Sequence, residues 1–143
     1  KGLLQWYVKT QVAKISAMFE GMYELSDEEA KKKKLGNGTT LYYFKEMGEH
    51  PASEYLLKLE KPVLIIQGEK DFQATLEKDF AGYQELLKDK ENVTFKVYEN
   101  LNHLFVNSVY GNIMKAMKEY KVEQHIGENV IKDLADWIFN AVS

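Results

Sequence analysis

The chain is 143 residues long, enough for about one domain with a single hydrophobic core. Its net charge of −3, with Lys and Glu mixed along the chain, gives no electrostatic footprint for nucleic acid, and no stretch approaches the roughly twenty apolar residues that span a bilayer. Cysteine is absent, which excludes thiol nucleophiles, disulfides and cysteine-ligated zinc and favours a cytoplasmic setting.

Leu3, Leu4, Tyr7, Val8, Val12, Ile15 and Phe19 recur at helical spacing up to Gly21, so the first twenty residues are expected to form one amphipathic helix in need of a partner surface. Ser26-Asp27-Glu28-Glu29 is a capping box opening a short polar helix, and the lysines from Lys31 to Lys34 read as its solvated end. Gly36-Asn37-Gly38 is a flexible break. Leu41-Tyr42-Tyr43-Phe44 reads as an aromatic cluster in a loop, and residues 51–59 as a helix with Tyr55, Leu56 and Leu59 on one side.

Pro62-Val63-Leu64-Ile65-Ile66-Gln67-Gly68-Glu69-Lys70-Asp71 has the form of a strand buried on both faces of a parallel sheet, entered through proline and left through glycine and an acid. A helix over residues 76–87 follows, with Thr75 as its N-cap, and then a second strand from Val93 to Tyr98. Strand, helix and strand in about thirty residues make a βαβ unit, whose crossover lays the second strand parallel to the first. Adjacent parallel strands lie roughly 4.8 Å apart. Asp71 follows the first strand and His103 the second, so two loops at one sheet edge can bring carboxylate and imidazole into hydrogen-bond reach. A carboxylate that fixes the tautomer of an imidazole is two thirds of an acyl-transfer triad. Taken singly, Asp71 could instead cap a helix or pair with Lys70 or Lys78, and His103 could be a structural loop histidine.

A loosely patterned helix is expected within residues 106–121, weakened by Gly111 and Asn112. The last helix is announced by His125-Ile126-Gly127-Glu128, and Val130, Ile131, Leu134, Trp137, Ile138 and Ala141 form a broad stripe suited to covering one face of the sheet. His50, His103 and His125 lack the close spacing of metal ligands, no His-Glu-x-x-His occurs, and no glycine-rich phosphate cradle follows a strand. Neither a metal nor a cofactor is expected.

The run from Lys61 to Asp71, with Val93-Thr94-Phe95-Lys96-Val97-Tyr98 and Leu101-Asn102-His103-Leu104-Phe105, resembles the C-terminal part of an α/β-hydrolase, most closely the bacterial serine esterase and dienelactone-hydrolase-like branch. The likeness covers about residue 42 to the end. It implies an α/β fold with a short parallel sheet, flanking helices and a helical cap: residues 1–48 as cap or lid, residues 49–143 as core. It further implies Asp71 as the acid and His103 as the general base, with the neighbouring Phe72 and Leu104 as contacts for the acyl or leaving group. The expected substrate is a small carboxylic ester or related acyl compound.

A nucleophile elbow needs a serine with glycines two positions to either side, and none of Ser16, Ser26, Ser53, Ser108 or Ser143 is so placed. The resemblance therefore puts the nucleophile and the oxyanion donors upstream of Lys1, and the chain reads as a fragment, inactive alone, of a serine hydrolase. The alternative reading is a non-catalytic α/β binding module that self-associates as a homodimer through an exposed sheet edge.

Overall fold

The computed structural model describes residues 2–143. The side chains of Leu3 and Leu4, two members of the expected first stripe, lie outside that description. The chain forms two compact units, Lys1–Glu54 and Tyr55–Ser143.

The first unit is helical. Helix α1 (Gly2–Phe19) ends ahead of Gly21, which takes a left-handed φ of 68° that glycine adopts without steric cost. Of the described stripe residues, Tyr7, Val8, Val12 and Ile15 are exposed, as is the neighbouring Trp6, and Phe19 at the end joins a core. Helix α2 (Asp27–Lys32) starts on the expected capping box, with the Ser26 N–H donating to Glu29 at 2.9 Å and the Glu29 N–H to the Ser26 hydroxyl at 3.4 Å. Gly36-Asn37-Gly38 lies in a turn in which the Leu35 N–H donates to the Thr39 carbonyl at 2.8 Å and Gly38 takes a φ of 87°.

The aromatic cluster expected in a loop is the start of helix α3 (Leu41–Glu49). Burial decides its conformation: Leu41 packs with Met22 and Ala30, Phe44 meets Phe19 edge-on at 5.0 Å, and these contacts outweigh the poor helix propensity of consecutive aromatics. Lys45 is buried on the same helix and donates to Asp27 at 2.8 Å and to the Leu25 carbonyl at 3.0 Å. Helix α4 (Ala52–Lys58) follows Pro51.

In the second unit, strands β1 (Val63–Gly68) and β2 (Val93–Tyr98) pair in parallel, Val63 opposite Val93 and Gly68 opposite Tyr98. The entry ends are stitched by Asn92, whose amide donates to the carbonyls of Leu59 at 3.0 Å and Lys61 at 2.7 Å. The apolar residues of β1 are half-buried rather than enclosed, because among the described residues the sheet has two strands and each keeps an open edge. The crossover begins with a π turn (Leu76–Phe80) and continues as helix α5 (Ala81–Leu86). Thr75 does not cap it with its side chain. The Asp79 carboxylate takes the Thr75 N–H at 2.6 Å instead, an acid satisfying an otherwise unpaired donor. Phe80 and Leu87 are buried, Phe80 edge-on to Phe95 of β2 at 5.5 Å.

Helix α6 (Ile113–Glu119) is shorter than the expected segment. Gly111 (φ 57°) and Asn112, whose side chain accepts from the Lys115 N–H at 3.2 Å, mark its start. The stripe of helix α7 (Glu128–Val142) divides: Val130 is buried and Leu134, Trp137 and Ala141 half-buried, while Ile131 and Ile138 face outward. A two-stranded sheet is too narrow to cover so broad a stripe. Lys96 of β2 pairs with Asp133 of α7 at 2.5 Å, and burial together with the neighbouring Asp133 carboxylate pushes the Tyr98 phenol up to about 12. This short parallel sheet with flanking helices, following a helical segment, is the partial α/β-hydrolase-like fold that the resemblance implies. No helix among the described residues is long and apolar enough to cross a membrane.

Candidate active site

The site begins with the absence of a side chain. A Cβ on Gly68 would lie 2.5 Å from the Leu101 carbonyl oxygen and 2.6 Å from that of Asn102, so only glycine at the end of β1 lets the loop after β2 cross so closely. The two loops are then tied together. The Lys70 N–H donates to the Leu101 carbonyl at 2.8 Å, and the Asn100 N–H to the Glu69 carboxylate at 2.9 Å.

Asp71 is 8% exposed and accepts on both oxygens. Its Oδ1 takes the N–H groups of Gln73 at 2.8 Å and Ala74 at 3.1 Å, and its Oδ2 takes the Gln67 amide at 2.9 Å and faces His103 Nδ1 at 2.8 Å. Burial pushes the carboxyl up, but the bonds from His103, Ala74, Gln73 and Gln67 outweigh it and hold the group below the ordinary carboxylate range. The pairing with Lys70 weighed from sequence is not made; Lys70 lies 3.8 Å from Glu69.

The histidine loop is shaped by its backbone and by Asn102, which is fully buried. Asn102 Oδ1 accepts from the N–H groups of Leu104 at 2.9 Å and Val106 at 3.4 Å, while the Asn102 backbone N–H donates to the Val106 carbonyl at 3.0 Å. Asn100 and Phe105 bracket the histidine with left-handed φ values of 59° and 55°. His103 emerges with its side chain 45% exposed. A neutral imidazole whose Nδ1–H is held by a carboxylate carries its lone pair on Nε2, the form suited to accept a proton.

Phe72 is half-buried and stacks on Tyr120 at 6.0 Å, and Gln73 donates to the Tyr120 hydroxyl at 3.1 Å. Leu104 is exposed beside His103. Ser108, the serine closest to His103 in sequence, is buried and gives its hydroxyl to Glu119 at 2.6 Å. Gln67 and Asn102 escaped the sequence reading, since neither carries a motif. Glu46, Glu49 and His50 in the first unit place potential ligand atoms within 4.8 Å of one another, a helical i, i+3, i+4 grouping that histidine spacing alone does not reveal. Glu49 there also lies 3.8 Å from the Lys45 ammonium.

The chain is similar to esterase EstD of Thermotoga maritima, with 32% identity over 101 residues, or 71% of this chain and 24% of the relative. It thus spans about a quarter of the length of the curated relative it matches. No family model and no solved structure matches the chain. The alignment and the parallel sheet, with a buried carboxylate on a histidine at one edge, give the chain a general esterase-like relationship of the α/β-hydrolase type.

Proposed function

We propose that this chain supplies the acid and the general base of a serine-dependent hydrolase that cleaves carboxylic esters or related acyl compounds. His103 deprotonates a serine contributed from outside these 143 residues, then protonates the leaving alcohol; Asp71 holds the imidazole and stabilises the imidazolium. Water repeats the cycle on the acyl-enzyme. Leu104 and Phe72, next to the two polar residues, contact the acyl or leaving group. The observation that carries the reading is the 2.8 Å bond between a buried Asp71 and a half-exposed His103 on adjacent post-strand loops.

The test joins the chain to a nucleophile-bearing upstream segment and follows hydrolysis of short-chain p-nitrophenyl esters. His103→Ala and Asp71→Asn each lower kcat by about 10³-fold or more, as loss of base or tautomer does in such triads. Full activity in His103→Ala removes the assignment. A second reading, self-association, is favoured by the open sheet edges and the exposed Trp6, Tyr7, Val8, Val12 and Ile15 of α1. Sedimentation of the isolated chain across concentration decides it, a monomer at all concentrations counting against it.

A further inference from the structure

Gln67 lies one residue before the close-approach glycine, 8% exposed, at the end of a strand that is otherwise apolar. A buried primary amide is costly unless its N–H groups are used. Those of Gln67 point at three acceptors: Asp71 Oδ2 at 2.9 Å, the Ala74 carbonyl at 2.7 Å and, more distantly, the Gly68 carbonyl at 3.4 Å. The reversed amide would set Oε1 against a carboxylate and two carbonyls, so this environment fixes which end is nitrogen.

We propose that Gln67 is a positioning residue whose carboxamide anchors the Asp71 carboxylate to the end of β1, aiming Oδ2 at His103 Nδ1. The inference rests on reading Asp71 and His103 as an acid–base pair. A carboxylate turns about a broad torsion. Backbone N–H groups from Gln73 and Ala74 restrain Oδ1, but Oδ2 has Gln67 and His103 as its partners. Without the amide, the two bonds to Oδ1 would remain but Oδ2 would be left to the half-exposed imidazole alone. Gln67 also closes the loop on itself, since Ala74 donates its N–H to Asp71 and accepts from Gln67 through its carbonyl.

The test needs no turnover. Imidazole 15N spectra of the intact chain at alkaline pH, where histidine is neutral, read the His103 tautomer directly. In the unmodified chain the Nδ1–H form is expected to dominate. Gln67→Met keeps the length without the donor, and Gln67→Glu keeps the length but presents an acceptor; in each the ratio of Nδ1–H to Nε2–H falls roughly tenfold, with β1 and β2 backbone signals retained. An unmodified chain in the Nε2–H form overturns the acid–base pair, and this inference with it. An Nδ1–H form that persists unchanged in both variants overturns the role of Gln67 alone. Should neither variant fold, the unmodified chain still decides: slowly exchanging Gln67 carboxamide protons support the anchor, and rapidly exchanging ones overturn it.

Discussion

The two loops that leave the carboxyl ends of β1 and β2 hold the side chains of Asp71 and His103 in opposite ways. The Asp71 side chain is 4% exposed and tied by four hydrogen bonds, two to each oxygen; that of His103 is 45% exposed and, among the described residues, hydrogen-bonded only through Nδ1. In the acid loop rigidity resides in the side chain. In the histidine loop it resides in the backbone, through Asn102 and the left-handed residues Asn100 and Phe105. The carboxylate is thus a fixed reference, and the imidazole is anchored at one nitrogen while its ring stays accessible, the arrangement that the proposed proton transfer needs.

Four perturbations separate these two modes of support. The largest acts on both loops: Gly68→Ala drives a methyl against two backbone carbonyls at 2.5 and 2.6 Å that cannot swing aside as a side chain would. A loss of about 3 kcal/mol in urea unfolding is expected, together with rupture of the Asp71–His103 bond. Asn102→Ala attacks the histidine loop alone by removing the acceptor for Leu104 and Val106 N–H, for a loss of about 2 kcal/mol, with the Asp71 carboxylate still bonded to Gln67, Gln73 and Ala74.

The acid loop responds to pH. Because the folded-state pKa of Asp71 is depressed, its contribution to stability is present above the ordinary carboxylate value of about 3.9 and lost as pH falls through the lower folded value. Asp71→Asn should flatten that part of the stability–pH curve, measured by thermal melting across the acid range. The smallest effect is at Asn100, exposed with φ 59°: Asn100→Ala costs about 1 kcal/mol and Asn100→Gly almost nothing. Equal losses in the two Asn100 variants would show that the left-handed φ at this position carries no extra cost for alanine.

The spatial arrangement of this site was readable because its signals are local. The run from Val63 to Ile66, punctuated by Pro62 and Gly68, marks a strand by composition, and the alternation from Val93 to Tyr98 marks the next. Parallel pairing then follows from crossover length and brings Asp71 to His103. Gln67 and Asn102 were illegible because each acts through partners that only the fold brings near: a glutamine at a strand end and an asparagine before a histidine are ordinary in sequence. The aromatic run of α3 was misread because its helix is decided by packing on Phe19, Met22 and Ala30 rather than by a capping side chain at Thr40. The outward residues of α1 and α7 show the converse, that periodicity announces an apolar face without saying what covers it.

The most direct test of the acid–base pair is the imidazole proton of His103. In the unmodified chain at alkaline pH, NMR should find that proton on Nδ1, deshielded by its bond to Asp71, and Asp71→Asn should abolish the deshielded signal. A proton on Nε2 in the unmodified chain, or a signal indifferent to Asp71→Asn, would contradict the account.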